Sequence, residues 1–285
     1  MTWVEPLRRR RASAYVAGPG VDDALEVGRR LAAGGFGCVV GYAASADEPP
    51  RSVADVHLSA FERLAAEGLD GEVSVKLSPL AFDADLFGEL NAAATRCERS
   101  LHVDALGPET VDDTWALLER AEPRDPIGTT LPGRWRRSVD DARRAMDLGL
   151  RVRVVKGQWA DTAAPDVDPA EGVLRVVDCL RDSPRRVAVA THDEPLLAEA
   201  LSRLLAAGVP CAVELFLGLP FVGPLRLARR LDVPVRVYVP YGAGGAPYDA
   251  AALTRNPAAT WWLLQDVVLG KEKTWRSMGR AHLSR

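Results

Sequence analysis

Residues 186–216 read "RVAVATHDEPLLAEALSRLLAAGVPCAVELF". A short valine-rich run, Arg186–Ala190, leads into a Thr-His-Asp turn. Leucines and alanines then recur at helical spacing over Glu194–Ala207, and a second apolar run follows at Pro210–Phe216. Short, continuous β-branched runs suit strands buried on both faces, and the segment between them has the length and period of one helix. The stretch therefore predicts strand, helix, parallel strand.

The same alternation fills the chain. Further apolar runs lie at Gly37–Tyr42, Glu72–Leu77, Leu101–Val103, Ile127–Thr130, Arg151–Val155 and Val233–Val239. Amphipathic segments lie between them, among them Ser52–Glu67, Thr110–Arg120, Ser138–Leu148 and Leu225–Leu231. Val21–Ala33 precedes the first strand and Tyr248–Val268 follows the last. Eight strands, each followed by a helix or crossover, predict an α/β fold: a closed (β/α)8 TIM-like barrel with an extra N-terminal helix. A doubly wound sheet would carry fewer strands and a G-x-G-x-x-G after the first, and none follows any early strand. At 285 residues the whole chain, 1–285, is expected to be one catalytic domain, with residues 1–14 a flexible basic arm.

Composition narrows the function classes. With 47% apolar and 26% charged residues and a net charge of −3, this is an ordinary globular chain that does not suit a nucleic-acid partner. The run Arg8–Arg11 resembles the start of a twin-arginine signal, but no apolar segment follows it, and no run approaches the ~20 apolar residues of a membrane span. Cys38, Cys97, Cys179 and Cys211 are scattered without metal-ligand spacing and read as free thiols of a cytoplasmic protein.

Barrel enzymes place their chemistry where the C-terminal ends of the strands converge. Those ends carry Lys76 in "VSVKLSPL", Asp104 in "LHVDALGP", Thr130 in "IGTTLPGRW", and Arg153 and Lys156 in "RVRVVKGQW". Thr191, His192 and Asp193 follow in "VAVATHDEP", Glu214 in "CAVELFLG" and Tyr241 in "VYVPYG". Polar groups are costly inside a barrel unless paired or solvated, so this ring is the candidate site. Lys76 and Asp104 also suit a structural ion pair, Asp193 suits a helix N-cap, and the tryptophans Trp135, Trp159, Trp261 and Trp262 suit packing. Three chemistries fit the ring: a Schiff-base lysine, a weakly supported metal site at His102, Asp104, His192 and Glu214, or a large anionic cofactor held by Arg153, Lys156 and His192.

Taken in order, "VSVKLSPL", "HVDALGP", "RVRVVKGQW", "ATHDEP", "ELFLGL" and "VYVPYG" followed by Tyr248 resemble the strand-end motifs of the proline dehydrogenase family. So does "YVAGPGVDDALEVGRRLAAGGFG" at residues 15–37, and the similarity runs over roughly residues 15–262. The resemblance implies a distorted (β/α)8 barrel that binds FAD and oxidises an amine by hydride transfer to flavin N5. It implies that Lys76 and Asp104 are an active-site charge pair and that Arg153, Lys156 and Gly157 contact the flavin and its diphosphate. Thr191 and His192 match the pair that holds the cofactor, Tyr241 matches the tyrosine of "VPYG", and Tyr248 matches the tyrosine that packs on the substrate ring. Thr130, Gln158 and Glu214 complete the expected cofactor-binding set.

The departures concern the substrate. The two arginines that clamp the proline carboxylate in the family fall at Ala251 and Ala252. The family's strand-4 glutamine falls at about Leu131, its "KGAY" has become "KGQW" at Lys156–Trp159, and its acidic-x-glutamine pair on strand 7 falls at Ala212 and Glu214. Losing one partner of a desolvated charge pair costs about 2–5 kcal/mol, a factor of tens to thousands in affinity. Arg255, one helical turn past Ala251, is the residue placed to serve a longer acid. The resemblance thus implies a small-molecule amine substrate without the usual clamp, in proline metabolism or specialised biosynthesis. A separate electron acceptor is implied too, with peripheral membrane contact only if that acceptor is a quinone. N-oxidation or N–N dehydrogenation on the same barrel, a Schiff-base lyase and a flavin-less binding protein are the alternative readings.

Overall fold

The computed structural model describes residues 15–219 and 221–244. Eight parallel strands close into a barrel in chain order: β1 (Gly37–Tyr42), β2 (Gly71–Val75), β3 (Ser100–Val103), β4 (Ile127–Pro132), β5 (Arg151–Val155), β6 (Val187–Ala190), β7 (Cys211–Phe216) and β8 (Val235–Tyr241). The barrel shuts where β1 pairs with β8, from Gly37 opposite Arg236 to Tyr42 opposite Tyr241. Helix α1 (Val21–Ala33) precedes the first strand and packs on β1 and β8. Seven helices link successive strands: α2 (Pro50–Ala66), α3 (Ala84–Arg96), α4 (Val111–Arg120), α5 (Ser138–Asp147), α6 (Pro169–Cys179), α7 (Glu194–Ala206) and α8 (Val222–Arg230). The expected (β/α)8 barrel with its extra N-terminal helix is the observed fold. The basic arm at 1–14 and the helix expected at Tyr248–Val268 lie outside the described residues.

Local chemistry sets the element bounds. Asp83 accepts from the amides of Asp85 and Leu86 to start α3, and Asp168 caps α6 in the same way ahead of Pro169. These caps satisfy amides that a helix start leaves unpaired. Both helices fall in stretches for which the sequence reading names no element. Strand β8 runs two residues further than its apolar run suggests and takes in Pro240 and Tyr241. Proline has no amide to give, but its carbonyl accepts from Ala17 at 2.8 Å.

Strand side chains alternate between the helix layer and the barrel interior. Val40, Val73, Val75, Val103, Leu131, Val154 and Val189 face outward into the main core. The interior set differs from the branched apolar filling usual in such barrels. Glu72, Ser74, His102, Thr130, Arg153 and Glu214 are all buried. Glu72 closes the floor by pairing with Arg186 and, at 3.3 Å, with Arg236. Small residues make room for this polar filling. A Cβ at Gly128 would sit 2.6 Å from His102 Nδ1, and one at Gly41 would collide with the Tyr238 hydroxyl.

Candidate functional site

Above the polar floor, at the C-terminal ends of the strands, lies a cavity of about 530 Å3. Lys76 and Asp104, each just beyond its strand, meet Arg153 of β5, Glu214 of β7 and Tyr238 of β8 on its wall. Asp104 is the hub. Its Oδ1 accepts from Ser74 Oγ at 2.5 Å and Arg153 Nη1 at 2.8 Å. Its Oδ2 accepts from the Tyr238 hydroxyl at 2.9 Å and Lys76 Nζ at 3.3 Å. Lys76 also donates to the Tyr238 oxygen at 3.3 Å.

This geometry fixes the charge states. Burial works against the Asp104 carboxylate, but Lys76, Arg153 and the Ser74 and Tyr238 donors outweigh it and hold its pKa below the ordinary value. Burial likewise works against the Lys76 ammonium, and Tyr238 and Asp104 overcome it to hold that pKa above the lysine range. The Tyr238 phenol is pushed up by burial and by Asp104, so at neutral pH it is an uncharged donor. Two carboxylates grip Arg153: Nε donates to Glu214 Oε2 at 2.5 Å and Nη1 to Asp104. Its guanidinium carbon lies 5.6 Å from the centre of the Tyr238 ring. Its third nitrogen, Nη2, is buried and has no partner among the described residues. Burial raises the pKa of Glu214 despite Arg153, and it lowers that of His102 well below the histidine range, reinforced by Arg153. His102 Nε2 lies 3.0 Å from Thr130 Oγ1.

The rim is apolar and aromatic. Phe216 stacks on Tyr238 with centroids 5.4 Å apart and planes at 17°, and Trp159, Leu219, Leu106 and Pro79 continue the wall. The loop bearing Gln158 and Trp159 is tied to the end of β4: Arg134 Nη1 donates to the Gln158 carbonyl at 3.0 Å and Trp135 Nε1 to that of Trp159 at 2.9 Å. His192 Nε2 accepts from the Phe216 amide at 2.9 Å, which places the proton of the neutral ring on Nδ1.

Of the residues the sequence singled out, Lys76, Asp104, Thr130, Arg153, Gly157, Gln158, His192 and Glu214 line this cavity together. Lys156, Thr191 and Tyr241 do not. Lys156 follows inward-facing Val155, and its Nζ pairs with Asp193 at 2.6 Å. Thr191 accepts from the Asp193 amide at 3.2 Å, while Asp193 caps α7 through Leu196. Tyr241 has the opposite parity to Tyr238 on β8, and its buried ring lies against Tyr42, centroids 5.3 Å apart. Leu131 faces the helix layer, so the position aligned with the family's glutamine sends nothing into the cavity. Tyr248, Ala251, Ala252, Arg255, Trp261 and Trp262 lie outside the described residues. Among those residues no group of three or more His, Cys, Asp or Glu side chains could hold a metal, and no helix is long and apolar enough to cross a membrane. Ser74, Phe216 and Tyr238 are site residues the sequence reading missed; two-residue spacing from Lys76, Glu214 and the Pro240 of "VYVPYG", in that order, is the signal that marks them.

No protein-family model matches the chain. Proline dehydrogenase 1 of Bacillus subtilis (strain 168) is 24% identical over 277 residues, covering 91% of both chains. Proline dehydrogenase of Deinococcus radiodurans is 26% identical over 293 residues, covering 94% of both. Among solved structures, proline utilization A from Bdellovibrio bacteriovorus, inactivated by N-propargylglycine, superposes with a TM-score of 0.74 at 13% identity. It covers 97% of this chain, which spans 35% of that one. Proline utilization A from Bradyrhizobium japonicum gives 0.66 at 17% identity, over 91% of this chain and 34% of the other. At such identities the structures show the shared barrel, while the curated relatives match from end to end. Over nearly its whole length, then, the chain is similar in sequence to bacterial proline dehydrogenases, and it shares its barrel with proline utilization A.

Proposed function

We propose that this protein is an FAD-dependent oxidoreductase of the proline dehydrogenase type, acting on an amine that carries no carboxylate to be clamped. The cavity suits the cofactor on three counts. Its volume falls in the range of built ligand sites, roughly 300–1,000 Å3. Arg153 stands on its wall, and Glu214 and Asp104 keep it charged there against the cost of burial, so a fixed cation is present for an anionic cofactor. Gly157 has φ +94°, and a Cβ there would come within 2.8 Å of Pro132, so only bare backbone lines that part of the wall. Arg153, Thr130, Gly157, Gln158 and His192 are the residues that would hold the flavin. Once bound, the flavin would accept a hydride from the carbon beside an uncharged amine nitrogen.

The chain's own groups bind and orient. Lys76, fixed by Asp104 and Tyr238, is a rigid polar post, and Phe216, Tyr238, Trp159 and Leu219 supply an apolar wall for the body of the substrate. Both cations on the described wall, Lys76 and Arg153, are already matched by carboxylates. Together with Ala251 and Ala252, that leaves little to recognise a substrate carboxylate. Asp104 accepts from four donors and has no capacity left to take a proton. The same network argues against a lyase acting through Lys76, because a Schiff-base lysine must be neutral to attack and Lys76 is held charged.

The observation that carries this reading is the apolar cavity at the strand ends with Arg153 on its wall. The test is the colour of the purified protein and its response to amines. Flavin absorption near roughly 450 nm is expected, together with anaerobic bleaching by pyrrolidine or piperidine at concentrations where proline has little effect. A colourless protein would sink the cofactor assignment. Equal bleaching by proline would sink the carboxylate-free substrate.

A further inference from the structure

Among the described residues, Glu214 is an ionisable wall residue to which the proposed function gives no part in holding flavin or substrate. It is 3% exposed, and its partner Arg153 is nearly as buried. The family's acidic residue on this strand falls at Ala212 and its glutamine at Glu214. Two residues apart on one strand, Ala212 and Glu214 share a face of β7, and the carboxylate stands at the one nearer the cavity. There it meets Arg153 Nε at 2.5 Å, while Asp104 takes Nη1 at 2.8 Å. Lys76 and Arg153 are thus balanced by Asp104 and Glu214, and the floor of the cavity is formally neutral. With glutamine at 214 it would carry one net positive charge.

We propose that Glu214 is a positioning residue that fixes Arg153 and cancels its charge, lowering the reduction potential of a flavin held in the cavity. The inference rests on the flavin reading given above. Reduction adds negative charge to the flavin ring. A neighbouring cation favours the reduced form, and a carboxylate bound to that cation removes the advantage. With Nε held by Glu214 and Nη1 by Asp104, the guanidinium is fixed in one orientation.

Glu214→Gln is nearly isosteric, and its amide oxygen can still accept from Arg153 Nε. We expect this variant to keep its flavin and to show a midpoint potential shifted positive by at least tenfold in the reduction equilibrium, about 30 mV for a two-electron couple. Glu214→Asp keeps the charge and should stay near the wild-type potential. Photoreduction against reference dyes reads both values without any substrate. An unchanged or more negative potential in Glu214→Gln would overturn the proposal. So would a Glu214→Gln chain that fails to fold while Glu214→Asp folds, since the carboxylate would then serve folding alone. A wild-type protein that takes up no flavin fails at the preceding reading and removes this one with it, an outcome distinct from a yellow protein with an unshifted variant.

Discussion

Four donors converge on Asp104, so one carboxylate fixes the positions of Lys76, Arg153 and Tyr238 at once. Removing its charge leaves a buried arginine with Glu214 alone and a lysine with only a phenol oxygen. Breaking a buried pair from one side costs about 3–5 kcal/mol, because the remaining charge stays desolvated. Asp104→Asn should therefore lower the unfolding free energy by an amount of that order, read as a fall in the urea midpoint, and weaken flavin retention in the same variant. A midpoint within experimental error of wild type would mean that water already reaches Lys76 and Arg153. At this scale the sequence was informative about which residue types meet, since lysine, aspartate and arginine at strand ends are costly anywhere else in a barrel. It was silent on the sharing of one carboxylate among three strands. That depends on side-chain reach across the barrel, which spacing along the chain does not encode.

Elements decide which of those strand-end residues face the cavity. Two-residue alternation on β8 turns Arg236, Tyr238 and Pro240 inward and Tyr241 outward, and on β5 it turns Arg153 and Val155 inward. The motif "VYVPYG" drew attention to Tyr241, whereas the period of the strand points to Tyr238. The strand runs themselves were legible because both-face burial leaves an unbroken apolar signature. Helices α3 and α6 are harder to read, since Asn91 in one and Gly172 in the other interrupt the buried apolar stripe. Gly172 has a positive reason to be there. It packs so closely on Gly133, at the end of β4, that a Cβ on it would overlap the Gly133 carbonyl. That contact seats α6 against the end of β4. Gly172→Ala must displace backbone rather than a flexible side chain, so it should cost at least the 1–3 kcal/mol usual for overpacking, despite alanine's better helix propensity. Thermal melts check the sign: a variant more stable than wild type would mean that the close approach is absent in solution.

For the molecule as a whole, the polar barrel makes folding depend on pH, and two histidines set where the dependence begins. His57 on α2 is buried with its ring edge-on to Tyr42, and its Nδ1 has no partner among the described residues. Burial, helped by Lys76, lowers its pKa to about 3. His102 is also lowered, by burial and then by Arg153. Both are neutral in the fold and free to charge in the unfolded chain, whose histidine pKa is near 6.5. Below that pH the unfolded state binds more protons than the native state, so stability falls as pH falls. Each buried histidine contributes a slope of about 1.4 kcal/mol per pH unit, continuing for His57 down to its folded value. Asp104 and Glu72, whose pKa values are also lowered in the fold, add to the loss once pH drops through the ordinary carboxylate range. Glu214 has the opposite sign, since a carboxyl raised by burial favours the fold on protonation, and it offsets part of that last step. Urea midpoints measured from pH 8 to 4.5 should therefore hold steady down to about pH 6.5 and then decline well before carboxylates titrate. A profile flat to pH 5 would show that His57 and His102 reach solvent or a carboxylate in the folded protein, and the sealed, polar-filled barrel would have to be redrawn.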